Sequence, residues 1–270
     1  MIQTKSSFEI TYLFMLKFIN ELLERNPELY WFGLFNFLIA ALLVLLMPFF
    51  QIKVLGIHAF IKPIKFALSI AIYSWTMAWY MFYLKDTNID WMNWAIIILL
   101  GFEIVYIVFQ AVKGQLSHFN LSTPVYSMLY SLMAMAASGV TLITAYVGIL
   151  FLKQDNSNLP EYYQIALHCG IWIFVIFSFQ GFAMGSKLTH TIGAIDGGKG
   201  IPFLNWSINA GDLRIAHFIG MHALQVIPIL AYYFFKNSTL IIFVSIVYAF
   251  LAIITWYMAI KAKSPFYFLN

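Results

Sequence analysis

Seven apolar runs, each long enough to cross a bilayer as a helix, leave this chain little choice of fold. They lie at about 29–50, 63–84, 91–113, 124–152, 161–186, 212–235 and 239–261. A helix rises ~1.5 Å per residue, so roughly 20 residues span the ~30 Å hydrocarbon core. Composition agrees. The 270 residues are 62% hydrophobic and only 10% charged, where soluble domains run near 25% charged. The expected fold is all-α: a polytopic transmembrane helix bundle of about seven spans over 29–262, with a tail at 263–270. Trp31, Trp91, Trp94, Trp206 and Trp256 fall near run ends, where an aromatic belt sits. Pro63 and Pro124 occupy first-turn positions, and Thr123 is placed to cap the helix that Pro124 opens.

Residues 1–28 read differently. Glu9 interrupts the apolar run, and Glu21, Glu24 and Arg25 follow it. No small-residue cleavage site is present, so a removable signal peptide is not expected. Ser6 and Glu9 have the spacing of a capping box. The expectation is an amphipathic helix lying at the interface.

The connections are unequal. Those at 85–90, 153–160 and 236–238 are short and polar, and all lie on the N-terminal side of the membrane. Those at 51–62, 114–123 and 187–211 are longer and hold most of the distinctive residues. Long connections are more often functional than idle. The N-terminal side carries 6 Lys/Arg (5, 17, 25, 85, 153, 236) and most of the acids. The loop-rich side carries 9 (53, 62, 65, 113, 187, 199, 214, 261, 263). The positive-inside rule then predicts a multi-pass protein of the cell membrane, N-terminus outside and C-terminus in the cytoplasm.

The spans also carry polar stripes. Lys65, Ser69, Tyr73, Thr76 and Tyr80 follow one another at i+3/i+4 spacing, as do Glu103, Tyr106, Gln110 and Lys113. Ser127, Ser131, Gln180 and Met184 add polar or polarisable positions to two further spans. In the sixth run Arg214, His217, His222 and Gln225 share an arc of about 140°. Charged groups at membrane depth cost roughly 2.5–3.5 kcal/mol on insertion scales, so this side must face protein or water. The polar end of each stripe lies on the loop-rich side, which predicts a pocket opening there. Ser, Thr and Tyr in spans often bond only to backbone or neighbouring helices. Glu103 is different: it lies roughly 15 Å deep. It must be paired, with Lys65, Arg214 or a histidine, or be protonated.

Five of the six histidines lie on the loop-rich side: His58, His118, His190, His217 and His222. Three imidazoles converging with Asp196 or Asp212 make a zinc, iron or copper site, and two on facing helices ligate a haem. The cofactor expectation is therefore open: a transition metal, a haem, or neither. Metal candidates are His118, His190, His217 and His222. No HExxH or comparable close-spaced motif occurs, and the single Cys169 excludes a Cys-rich metal centre. The same histidines equally suit hydrogen bonding or acid–base work in a substrate pocket.

Lys62, Lys65, Lys113, Lys187, Lys199 and Arg214 surround the same mouth. Lysine with arginine around a cavity suits phosphate or carboxylate, and the rival role is to hold lipid headgroups at the interface. The segment Asp196-Gly197-Gly198-Lys199-Gly200 lacks Walker A spacing and reads as a tight turn. No nucleic-acid signature is present.

Several segments resemble a family of bacterial polytopic integral membrane proteins. They are Lys62-Pro63-Ile64-Lys65-Phe66, Ser117-His118-Phe119-Asn120, Asn205-Trp206-Ser207 and Gly211-Asp212-Leu213-Arg214 through His222-Ala223-Leu224-Gln225. The resemblance implies no activity. The residues themselves suggest a membrane-embedded enzyme. Glu103, His118, His217, His222 and Asp212 are its catalytic candidates. Lys62, Lys65, Gln110, Asn120, Arg214 and Gln225 are its binding candidates for a small anionic or lipid-derived ligand. The alternatives are a proton-coupled transporter of a small anionic solute and a sensor or assembly protein. The bilayer is the expected partner, and no protein partner is legible.

Overall fold

The computed structural model describes residues 7–85, 87–154 and 158–266. Lys5, Ser6 (half of the expected capping box), Asp86, Asp155 and the tail beyond 266 lie outside them. Among the described residues the chain is a helical bundle: α1 (Ser7–Arg25), α2 (Pro27–Leu46), α3 (Ile61–Met81), α4 (Asp90–Val112), α5 (Pro124–Lys153), α6 (Glu161–Gln180), α7 (Phe182–Lys187), α8 (Leu213–Tyr233) and α9 (Ser238–Ile260). The extended pieces are two-residue strands. β1 (Lys53–Val54) pairs antiparallel with β2 (Ile57–His58), and β3 (Thr191–Ile192) with β4 (Gly211–Asp212).

Six helices are long and apolar enough to cross a membrane: α2 with the turn after it, α4, α5, α6 with α7, α8 and α9. The expected second span, α3, is 21 residues long but is not among the six. Lys62, Lys65, Ser69, Ser74 and Thr76 lower its apolar character. Its polar groups instead knit the bundle together. Trp75 Nε1 donates to the Tyr30 carbonyl of α2 (3.0 Å), and the Tyr73 and Thr144 hydroxyls pair (2.8 Å) with α5. The Tyr80 hydroxyl bonds the Leu224 carbonyl, and Gln225 Nε2 donates to Thr76 Oγ1 (3.0 Å), both on α8. Tyr73 also stacks on Phe174 of α6. The outer helix α9 buries only Ile241, Ser245, Ala252 and Ala259.

Helix starts follow local chemistry. Thr123 Oγ1 accepts the Tyr126 N–H (3.2 Å), so this side chain caps α5 as its sequence predicts. Asn26 and Asn237 cap α2 and α9 in the same way. Three of the five expected belt tryptophans, Trp31, Trp91 and Trp94, face outward. The other two do not. Trp206 packs against Phe218 and Phe266, and Trp256 joins the Phe177 and Met184 clusters. α1 lies along the bundle. Phe18 stacks on Trp79 (5.7 Å), and the Arg25 guanidinium sits over Trp79 (3.8 Å) while Nη2 bonds Glu21 (2.6 Å).

Small residues set the closest approaches. A Cβ on Gly170 of α6 would stand 2.9 Å from the Ala223 carbonyl oxygen of α8, the close backbone packing typical of membrane helices. A Cβ on Gly220 would meet the Phe177 ring, and one on Gly211 would collide with the Ala259 carbonyl of α9. Gly211 thus lets β4 lie against the end of α9. We expect Gly211→Ala to destabilise the protein by about 1–3 kcal/mol, the usual cost of overpacking. Gly198→Ala, whose Cβ meets nothing nearer than 3.7 Å, should leave the unfolding midpoint in detergent unchanged.

Candidate functional site

The three long connections meet at one end of the bundle, and Asp212 anchors the last of them to α8. Its side chain is fully buried. As the N-cap of α8 it accepts the Arg214 N–H on Oδ1 (3.0 Å). Arg214 Nε donates to the same oxygen (2.9 Å) and Nη2 to Oδ2 (2.6 Å), while the Ser207 N–H reaches Oδ2 (2.8 Å). Four N–H donors therefore offset the desolvation of one carboxylate.

Arg214 Nη2 also donates to the Asn205 carbonyl (2.5 Å), and Lys65 Nζ donates to the neighbouring Leu204 carbonyl (3.2 Å). Two successive carbonyls reach two cations because the chain is left-handed at Phe203 (φ 65°) and Asn205 (φ 57°). Such conformations cost non-glycine residues about 1–2 kcal/mol each, a cost the two charge-assisted bonds offset.

The hairpin beside this turn carries His190. Its Nδ1 donates to Asp196 Oδ2 (2.8 Å), and Asp196 also accepts the N–H groups of His190 (3.0 Å) and Thr191 (2.9 Å) and the Thr189 hydroxyl (3.0 Å). Burial works to raise the Asp196 carboxyl, but bonds from the His190 ring, the His190 amide and Thr191 outweigh it and hold it well below the usual carboxylate range. Burial lowers His190 itself, and the charges of Lys62 and Arg214 add to that against the pull of Asp196. His190 is therefore neutral, with Nδ1–H held and Nε2 presenting a lone pair.

His118 comes from the connection between α4 and α5. Burial, reinforced by Lys62 and His190, holds it neutral, well below its ordinary value. Its ring packs on Phe66 (5.4 Å) and its Nδ1 is 3.2 Å from Ser117 Oγ. Phe119 bridges to the hairpin, 4.9 Å from the His190 ring.

Lys62 stands among these groups. It is half-buried and lies within electrostatic reach of Lys65, Arg214, Asp196 and His118. It makes no hydrogen bond among the described residues. The centre thus gathers three basic side chains, Lys62, Lys65 and Arg214, with two carboxylates that already accept three or more bonds each. Beside it a cleft of about 60 Å³ is lined by Thr191, Lys199, Asn205, Ser207, Asn209 and Arg214.

Other candidates lie apart. Glu103 is buried on α4 and has no hydrogen bond or ion pair among the described residues. Its expected partners Lys65 and Arg214 are engaged by Leu204, Asn205 and Asp212. Gln110 and Asn120 both donate to the Leu116 carbonyl (3.1 Å each) and so shape the connection that presents His118. Gln225 is deeper, on Thr76. Asp212 serves as the N-cap and partner of Arg214.

The expected gathering of imidazoles does not occur. Among the described residues no three of His, Cys, Asp and Glu stand close enough to hold a metal. His217 Nδ1 donates to the Phe177 carbonyl of α6 (2.7 Å), whereas His222 Nδ1 donates to Phe218 one turn back on its own helix (2.8 Å). Their five-residue separation turns them to different hydrogen-bond partners. His58 holds the first hairpin, with Nε2 donating to Phe50 (2.6 Å) and Nδ1 accepting from Phe60 (3.2 Å).

Sequence reasoning did not find the Leu204 and Asn205 carbonyls. Their signal was slight: Pro202 and Asn205 are turn formers, but backbone acceptors have no side-chain signature. No family model, curated protein or solved structure matches the chain. Its class follows from its helices, which are those of a multi-pass integral membrane protein.

Removing the Arg214 guanidinium would leave Asp212 as a buried, poorly compensated charge. We expect Arg214→Ala to cost about 3–5 kcal/mol in a detergent unfolding titration. Lys199→Ala, at the exposed rim, should change stability by no more than about 0.5 kcal/mol.

Proposed function

We propose that this protein is a membrane-embedded enzyme that takes an anionic, lipid-derived substrate at its loop-rich end. The observation that carries the reading is Lys62: a half-buried amine with no hydrogen-bond partner among the described residues, flanked by Lys65 and Arg214. Three basic groups in such a place favour a phosphate or carboxylate, which the fork of Arg214 and the amines of the lysines suit in different ways. His118 and His190 beside it are neutral, so each is able to accept a proton at neutral pH. Asp196 orients the His190 ring as carboxylates orient catalytic imidazoles.

A second reading is a proton-coupled transporter of a small anion, with Glu103 as the relay. Glu103 favours it, being buried within α4 without an ionic partner among the described residues. Phosphate uptake into proteoliposomes driven by a pH gradient, and lost in Glu103→Gln, would select this reading over the enzyme.

The proposal includes α3 as a seventh span, placing the N-terminus outside and the site on the cytoplasmic side of the cell membrane. In a Cys169→Ala background, Lys199→Cys should react with a membrane-impermeant maleimide in inverted vesicles and not in right-side-out ones. The reverse pattern would overturn the orientation.

For the site itself, inorganic phosphate should raise the unfolding midpoint of the detergent-purified protein. Lys62→Gln should weaken its apparent affinity about tenfold or more, since a charge-assisted hydrogen bond contributes ~1.5–3 kcal/mol. Absence of a shift with both phosphate and acetate, or full retention of affinity in Lys62→Gln, would sink the anion-site reading.

A further inference from the structure

Gln180 ends α6 and is 7% exposed, yet neither its Oε1 nor its Nε2 has a hydrogen-bond partner among the described residues. Buried amides are nearly always paired, because an orphaned donor or acceptor forfeits its bonds to water. Gln180 leaves one of each. Its position is informative. A Cβ on the next residue, Gly181, would stand 3.0 Å from His217 Cε1, so the end of α6 that carries Gln180 packs against that imidazole. His217 gives its Nδ1–H to the Phe177 carbonyl and so keeps Nε2 as an acceptor. It lies within electrostatic reach of His190. One turn beyond Gln180, Met184 belongs to the cluster against which Phe119, the residue that touches His190, packs. The end of α6 that carries the orphaned amide therefore lies near the segment that holds His190.

We infer that Gln180, with His217 Nε2 beside it, forms an uncharged subsite that receives a hydroxyl of the ligand whose anionic group binds Lys62, Lys65 and Arg214. This rests on the anion-site reading above. A hydroxyl is both donor and acceptor, so it engages an amide and an imidazole lone pair together. The class of ligand is an anionic ester bearing a hydroxyl near its charge, of the glycerol phosphate type, either free or as a lipid headgroup. A site built to bond a hydroxyl rejects the analogue that lacks it.

The test compares glycerol 3-phosphate with propyl phosphate on the detergent-purified full chain, read as the shift of the unfolding midpoint with concentration. Glycerol 3-phosphate should bind at least tenfold more tightly, and Gln180→Met should abolish that preference while retaining binding of propyl phosphate. The unliganded Gln180→Met protein should unfold at the same temperature as wild type or higher, because an unpaired amide has been removed. A lowered midpoint would mean that the amide has a structural partner and would overturn the inference. Equal binding of both esters by wild type would overturn the subsite and leave the anion site standing. Binding of neither would overturn both. Dihexanoyl phosphatidylglycerol distinguishes the sources: tighter binding than glycerol 3-phosphate marks a lipid headgroup, weaker binding a soluble ester.

Discussion

A polar side chain inside a membrane bundle has to find its hydrogen-bond partner within the protein, because lipid offers none. α3 concentrates that constraint. Tyr73, Trp75, Thr76 and Tyr80 each need a partner, and each finds it on a different neighbour or a different level: Thr144, Tyr30, Gln225 and Leu224. These bonds fix which helices surround α3 and at what height. The apolar contacts then fill in around them, with glycines at 33, 170 and 220 allowing the tightest packing. A bundle held only by apolar surface would have much less reason to choose one arrangement, since lipid tails are as apolar as leucine.

The same rule, applied at the loop-rich end, produces the cationic centre. Lys65 and Arg214 project from the ends of α3 and α8, where lipid cannot satisfy them. The chain answers with backbone: a short left-handed turn delivers the Leu204 and Asn205 carbonyls, and Asp212 supplies the countercharge. Asp196 is spent on its own hairpin and on His190. Basic groups outnumber the carboxylates at this end, and Lys62 is the one left without a hydrogen-bond partner among the described residues. The chemistry proposed for the site follows from that imbalance together with two imidazoles held neutral by burial.

Much of the helical framework was legible in the chain. Run lengths, first-turn prolines and the Thr123 cap all report local events, and the helix expected at 124–152 is found at Pro124–Lys153. The span count was less legible, because α3 trades apolar character for internal hydrogen bonds. Burial of α3 by its neighbours, not its own hydropathy, is what accommodates its polar groups. The candidate site was half legible. Lys62, Lys65, Arg214, His118 and His190 share one end, as their placement on the loop-rich side predicts. The histidines as a metal cluster did not follow, because a helix face says which way a ring points and not which carbonyl it meets.

The sequence alone determined the class of fold and the end of the bundle where polar chemistry collects, since both depend on spacing within single segments. Only the tertiary structure decided the partners. His190 went to Asp196, His217 to Phe177, Arg214 to Asp212, and Gln180 was left with none among the described residues. His217 and Phe177 are 40 residues apart, and although His190–Asp196 and Arg214–Asp212 are separated by only six and two, groups from several segments meet there, so the winner is set by packing of whole helices. No local pattern encodes that competition.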